Sequence, residues 1–431
     1  MKIGYKILLS IKYLAGHFRR YIFLLVVLCF SFAVITATTT IVEGMTENVF
    51  LAAENHYAGH VFVLGYEKDK RSVLRITDSD TILNVVKNAG FKPAKTVLRT
   101  LSYNDASLYF SGVSVKQKYV YGIDWQVEQD DFKKLTFIDG EASDDFNNNG
   151  IFISEPVAHN LQARVNDDVL LEVQTKTGQK NTLKFIVRGI IRDSSIFGFF
   201  KCFVSRTSLN MLLGYDESDC SSIGLFFKKN DDLFEKTDIL YTALENIFSL
   251  GDPIKNREDF TEQIRADFSG FRYFVFPLSV YISQVSDLLT AMKFISYFLY
   301  VLMIIIAISS LTVTYRLILY ERSREIGTVR VLGMQSWNTQ IVLVFESVFL
   351  FLVAVIAGLF LSLLFTWILS MFSYESIPGF DLFLRKGKLT ASYTPGIIFT
   401  NILILLLTVL PVVWIPMFNI SRADIVNTLR K

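Results

Sequence analysis

Four long uncharged runs divide the chain: Tyr21 to Val42, Phe294 to Tyr315, Ser347 to Tyr374 and Leu389 to Ser421 contain no Asp, Glu, Lys or Arg. About 20 apolar residues at 1.5 Å each cross the hydrocarbon core of a bilayer, so each run predicts a membrane span. The first run is too long for a signal-peptide core and lacks a small-residue cleavage site, which predicts an uncleaved anchor. The second begins early. Gln284, Asp287 and Lys293 interrupt a helical pattern that starts near Val280, predicting a helix that projects beyond the membrane. Pro395 suits a first helical turn, while Pro411 and Pro416 predict a kinked or shortened end to the last span.

Between Glu43 and Ser286 the pattern changes to short β-branched and aromatic runs separated by turn residues. His60 to Leu64, Tyr119 to Ile123, Val169 to Val173, Leu183 to Val187 and Ile223 to Phe227 read as strands. Asp78 to Ala89 and Asp231 to Phe248 read as helices, closing at Gly90 and before Gly251 and Pro253. The predicted fold class is a membrane protein of four transmembrane helices, with a large extracytoplasmic α+β domain inserted between helices 1 and 2. The predicted segments are a cytoplasmic N-terminus (1–20), helix 1 (21–42), the inserted domain (43–286), helix 2 (287–315) and a cytoplasmic connecting helix (316–340). Helix 3 (341–372), an outer loop (373–393), helix 4 (394–418) and a cytoplasmic tail (419–431) complete the chain. The inserted domain is long enough to bury its own core, in one lobe or two.

Charge orients this layout. Lys2, Lys6, Lys12, Arg19 and Arg20 precede the first span without an acidic residue, which predicts a cytoplasmic N-terminus. Arg316, Arg322, Arg324, Arg330, Arg422, Arg430 and Lys431 then also face the cytoplasm. Arg385, Lys386 and Lys388 in the outer loop run against the rule, but the first span dominates orientation. The predicted location is a multi-pass protein of the inner (cytoplasmic) membrane, with the inserted domain facing the periplasm or exterior.

Composition narrows the chemistry. Hydrophobic residues make up 51% and charged residues 19%, the mixture expected of spans plus a soluble domain. A net charge of +2 supplies no field for nucleic acid. No GxxxxGK[ST] occurs, so this chain has no P-loop, and ATP-driven work requires a separate ATPase that holds the ATP and Mg. His56 and His60 in HYAGH have zinc-helix spacing without the glutamate of HExxH. Asp145, Asn147, Asn149 and Gly150 open like a calcium loop, but Pro156 stands where the bidentate carboxylate belongs, so an ordinary turn is expected. Cys202 and Cys220 can pair if their domain is exported. With no catalytic constellation, the chain is expected not to be an enzyme, and no metal or cofactor is expected in it.

The segment Tyr320 to Glu346 is a charged interruption between two spans. At helical spacing Ile326, Val329, Gly333 and Trp337 share a face, and Glu321, Arg322, Arg324 and Glu325 form a charged first turn. Periodicity alone leaves two readings, an ordinary surface connector or a docking helix for a partner. Glu346, an ionisable group just inside the third span, is expected to pair with an arginine of the preceding helix.

Three features resemble the MacB/FtsX-type (type VII) ABC transporter permeases, closest in layout to the lipoprotein-releasing Lol permeases. One is the arrangement of spans and inserted domain. Another is Arg324, Glu325, Ile326, Gly327, Arg330 and Gly333, which resemble R-E-I-G-x-x-R-x-x-G, followed by Glu346 where an acidic residue is common. The third is Asn149 to Val173, similar to G-x-x-x-S-E-x-x-A-x-x-L-x-x-x-x-G-D, with Asn166 in place of its last glycine. The tail, SRADIVNTLR, keeps Leu429 and Arg430 without the usual proline. The resemblance implies a permease paired with a second copy or a paralogue. A cytoplasmic ABC ATPase would push on the Tyr320 stretch, with Arg324, Glu325, Ile326, Gly327, Arg330 and Gly333 as coupling residues. Lipoprotein is the expected cargo, passed to a periplasmic carrier; the chain contacts membrane lipid and no nucleic acid. Efflux of small molecules or peptides, and an FtsX-like scaffold that activates a cell-wall hydrolase, are the alternatives. The absence of a fused ATPase domain favours the Lol-like branch.

Overall fold

The computed structural model describes residues 3–422 apart from 17, 70, 91, 193–200, 229–231, 322–326, 329–330, 332–333, 375–376, 378–379 and 386. It has two compact units. One comprises Met1–Glu47, Leu289–Tyr374 and Gly387–Lys431; the other comprises Asn48–Leu288 and Glu375–Lys386.

Among the described residues, four helices are long and apolar enough to cross a membrane. They lie within Phe18–Tyr57, Ser283–Glu321, Ser336–Met371 and Pro395–Arg422. Each offers one stripe to a common core: Tyr21, Leu24, Leu28 and Phe32 from the first, Ala307 and Leu311 from the second, Leu350 and Phe351 from the third, Leu405 and Val409 from the fourth. These residues recur every three or four positions, so one side of each helix packs inward. The other side keeps Phe294, Phe298, Phe360 and Phe399 exposed, as lipid requires. Gly44 is needed at a close approach: a Cβ there would lie 2.0 Å from the Thr390 carbonyl oxygen, beside the Ser392 N–H that donates to Thr40.

The helices outrun the uncharged runs. The first extends past residue 42 to Tyr57, and the second begins at Ser283 and continues to Glu321. Helical hydrogen bonding continues wherever side chains pack or are solvated, so charge marks where lipid ends, not where the helix does. The last helix continues through Pro411 and Pro416 to Arg422, so of the expected kinking or shortening the shortening does not occur, as membrane helices often accommodate proline. Residues Ile3–Gly16, within the segment taken as a cytoplasmic N-terminus, form a helix whose Ser10 hydroxyl donates to the Val342 carbonyl (2.9 Å).

The second unit holds β1 (Val61–Lys68), β2 (Ser72–Leu74), β3 (Lys95–Phe110), β4 (Val113–Ile123), β5 (Phe137–Gly140) and β6 (Gly150–Ser154). It continues with β7 (Asp168–Gln174), β8 (Lys180–Ile191), β9 (Lys201–Ser205), β10 (Ser222–Phe226) and β11 (Gly270–Pro277). All belong to one sheet, ordered β11-β1-β10-β3-β4-β9-β6-β8-β5 with β2 on β1 and β7 bridging β3 and β8. That bridge closes a ring, β3-β4-β9-β6-β8-β7, with β5 added on β8, and leaves β11, β1, β10 and β2 as an open lobe.

Alternation fills the ring. Ala106, Leu108, Val120, Ile151, Ile153, Val169, Leu171, Val173, Phe185, Val187, Cys202 and Val204 point into one core. The open lobe buries Val61, Val63, Ile223, Leu225 and Val275 under the helices Ser79–Asn88 and Leu233–Glu245. β3 belongs to both: Lys95 to Arg99 pair with β10, and Thr100 to Phe110 with β4. Its Asn104–Asp105 dipeptide resembles a turn in the sequence. The strand absorbs it as a bulge between Tyr103 and Ala106, with Asp105 tied to Arg71 at 3.0 Å. Asn166 has φ +72°, which glycine adopts freely and asparagine tolerates, so the turn survives the substitution noted above. Cys202 lies in the ring core and Cys220 in the open lobe. Both are free thiols, so they do not form the disulfide considered for an exported domain, and burial pushes the Cys220 thiol up to about 12.

The architecture is therefore four spanning helices with a mixed α/β domain between the first and second.

Candidate coupling site

The segment after the second spanning helix leaves that helix at Glu321 and re-enters at Ser336, where Gln335 caps the third with its carbonyl, accepting from Asn338 and Thr339 N–H groups (2.9 and 3.2 Å). Gly327 and Thr328 are helical; Gly327 is buried, whereas Thr328 and Val331 face outward. Arg324, Glu325, Ile326, Arg330 and Gly333 lie outside the described residues. Arg20 approaches Glu321 at 3.7 Å, with both side chains well exposed, so this ion pair contributes little. Trp337 meets Trp414 edge-on at 5.9 Å, joining the start of the third helix to the fourth.

One turn or more further into the third helix lies a buried polar cluster. Tyr21 in the first spanning helix donates its hydroxyl to Glu346 Oε1 (2.9 Å). Ser347 donates to the Tyr315 hydroxyl (2.8 Å) and to the Leu343 carbonyl (2.9 Å), and Tyr315 reaches the same carbonyl at 3.3 Å. Leu24, Leu28, Leu311, Leu350, Val409 and Val413 surround these groups, so all four spanning helices contribute to the wall. Polar atoms in such surroundings are costly to leave unpaired. Their mutual bonds therefore fix the register of the first, second and third helices, immediately beneath the charged segment.

The structure gives Glu346 a hydroxyl donor that the sequence did not suggest. Its described partner is Tyr21, far away in sequence, whereas Arg322, Arg324 and Arg330 of the preceding segment lie outside the described residues. Reasoning from sequence missed Tyr21, Tyr315 and Ser347. Tyrosines near span ends read as interfacial residues, and only Ser347, adjacent to Glu346, carried a local signal. Chemically, the cluster presents hydroxyls and one carboxyl with no activated nucleophile among the described residues. It can transmit displacement between helices.

Other candidates are occupied structurally. His56 contacts Tyr121 through Nε2 (3.0 Å), and His60 Nδ1 accepts the Phe227 N–H (2.9 Å). Asp144–Asn147 form a 3-10 turn in which Asp144 accepts from the Trp125 indole (3.1 Å). No cluster of metal-ligating side chains occurs among the described residues.

Comparison with known proteins agrees with the membrane part. Residues 297–425 match the FtsX-like permease C-terminal family. The periplasmic region of MacB from Actinobacillus actinomycetemcomitans is 11% identical, with 53% of this chain and 93% of that chain covered, at a TM-score of 0.31. A domain from Porphyromonas gingivalis assigned to a permease protein is 12% identical, with 51% and 88% covered, at 0.29. Neither overlap bears weight in the assignment. No curated protein matches the chain. The family match takes in the charged segment, the polar cluster's Tyr315, Glu346 and Ser347, and the last two helices, so this part of the chain is similar to the C-terminal region of FtsX-like permeases.

Proposed function

We propose that this chain is the permease subunit of an ABC transporter of the inner membrane, converting the strokes of a separate cytoplasmic ATPase into release of lipoprotein on the outer side. The observation that carries this reading is the family match over residues 297–425, which encloses the charged segment and, of the polar cluster, Tyr315, Glu346 and Ser347. ATPase closure would press on the segment containing Arg324, Glu325, Ile326, Gly327, Arg330 and Gly333. The cluster around Glu346 would then pass the displacement to the first and second helices, which continue into the inserted domain. A second permease, identical or paralogous, completes the assembly, and a periplasmic carrier receives the cargo.

Purification with its ATPase tests the motor half. Charge reversal at Glu325 or Arg330 is expected to abolish cargo release; release and ATP hydrolysis both at wild-type levels would remove the coupling assignment. Photo-crosslinkers at exposed positions such as Met211 and Phe234 test the cargo. Acylated protein is the expected adduct, whereas capture solely of a wall hydrolase, or of small efflux substrates, would replace the lipoprotein reading.

A further inference from the structure

The inserted domain contains a second buried polar centre, at the end of the first spanning helix. His56, in the last turn of Phe18–Tyr57, is buried and uses both ring nitrogens: Nε2 meets the Tyr121 hydroxyl and Nδ1 meets Lys201 Nζ, each at 3.0 Å. An ammonium can only donate, so Nδ1 accepts, and the neutral ring then carries its proton on Nε2, directed at Tyr121. Arg99 Nη1 donates to the His56 carbonyl, satisfying one of the helix's terminal acceptors. The same guanidinium clasps Glu128 through Nε and Nη2 (3.0 and 2.5 Å), and neither partner is more than 3% exposed.

The second spanning helix reaches the same centre. Tyr281, just before its start at Ser283, stacks flat on Tyr57 with ring centroids 4.1 Å apart and planes 4° from parallel. The helix end is also pressed against the sheet. Ala58 turns the chain at φ +58°, and a Cβ on Gly224 of β10 would fall 2.0 Å from the Ala58 oxygen. Thus β3 of both lobes, β4 and β9 of the ring and β10 of the open lobe all touch one helix end.

A buried ion pair and a buried histidine are poor choices for stability alone, because apolar replacements of similar volume often stabilise as well or better. What a fully satisfied polar network supplies is a single geometry. We infer that His56, Tyr57, Arg99, Tyr121, Lys201 and Tyr281 form a positioning node that ties the roots of the first two spanning helices to each other and to both lobes of the inserted domain. Displacement of either root then reaches both lobes together. The tie stands on these contacts; its use in delivering an ATPase stroke rests on the permease reading above.

Hydrogen exchange on the full-length chain in lipid nanodiscs tests the tie. Tyr281→Leu is expected to speed exchange of the amides at residues 53–58, on the other root, by about tenfold, and Tyr281→Phe, which keeps the stacked ring, to restore them. Tyr121→Phe removes one hydroxyl and is expected to loosen residues 53–58 and 278–283 together. Acceleration confined to the substituted element in either variant would overturn the tie. A second measurement places spin labels at Met211→Cys in the ring lobe and Phe234→Cys in the open lobe, in the complex with the copurified ATPase. ATP should change the label separation in the parent protein and leave it unchanged with Tyr281→Leu, while hydrolysis continues. A normal ATP response in that variant removes the delivery role, and failure to recover any ATPase removes the permease reading while exchange still judges the tie.

Discussion

His56 shows how one buried residue makes stability depend on pH. It lies in the part of the helix that belongs to the inserted domain. Burial first, and then Lys201 and Arg99, hold its pKa well below 6.5. Tyr121, Tyr57 and Tyr119 lie around its ring, and Glu128 faces Arg99. The folded state therefore stays neutral while the unfolded chain takes up a proton near 6.5. Stability is complete above that value and falls as pH drops below it, by up to about 1.4 kcal/mol per pH unit. Urea titration of the detergent-solubilised protein between about pH 6.5 and 5.5, above most carboxylate pKa values, should show this slope, and His56→Gln should flatten it. Asn166 gives a second residue-level expectation. Asn166→Gly should leave the melting temperature level or raise it, whereas Asn166→Val, forced to φ +72°, should cost about 1–3 kcal/mol. Equal melting of the two variants would show that the turn is not held in that conformation.

Among the elements, the first spanning helix carries the most constraints. Its inner end holds Tyr21 against Glu346, and its middle is approached by Thr390 at Gly44. Its far end is fixed by Arg99 on the His56 carbonyl. Gly44→Leu places a side chain where a backbone oxygen already lies, so the helix or residues 390–391 must move; full-length protein should be recovered poorly or melt well below the parent. Normal yield and melting would argue against this approach. Tyr21→Phe leaves Glu346 without its described hydroxyl donor in an apolar wall. It should destabilise the solubilised protein by about 1–3 kcal/mol in thermal unfolding; an unchanged melting temperature would show that the bond contributes nothing.

The whole molecule is organised by sidedness. Basic residues before the first span and after the second predict that the N-terminus and the charged segment share one side, with the inserted domain on the other. A cysteine placed at Met211 should react with a membrane-impermeant maleimide in intact cells, and one at Thr328 only after permeabilisation; the reverse pattern would invert the topology. Both positions are exposed, and Cys202 and Cys220 are buried, so background labelling is confined to Cys29.

What the sequence by itself determined is local or additive: four uncharged runs, the inserted domain, strands at Tyr119 to Ile123 and Val169 to Val173, and the motif around Gly327. Each depends on periodicity or length along the chain, so no partner need be known. Tertiary structure alone decided the rest, because each item joins residues distant in sequence. The Asn104–Asp105 bulge is a turn by composition and a strand by virtue of β4 and β7 beside it. Ring closure needs β7 to reach both β3 and β8, and no single strand records that. Tyr21 meets Glu346, and His56 meets Lys201, only because helices and strands remote in the chain pack together and leave those polar groups no water to bond.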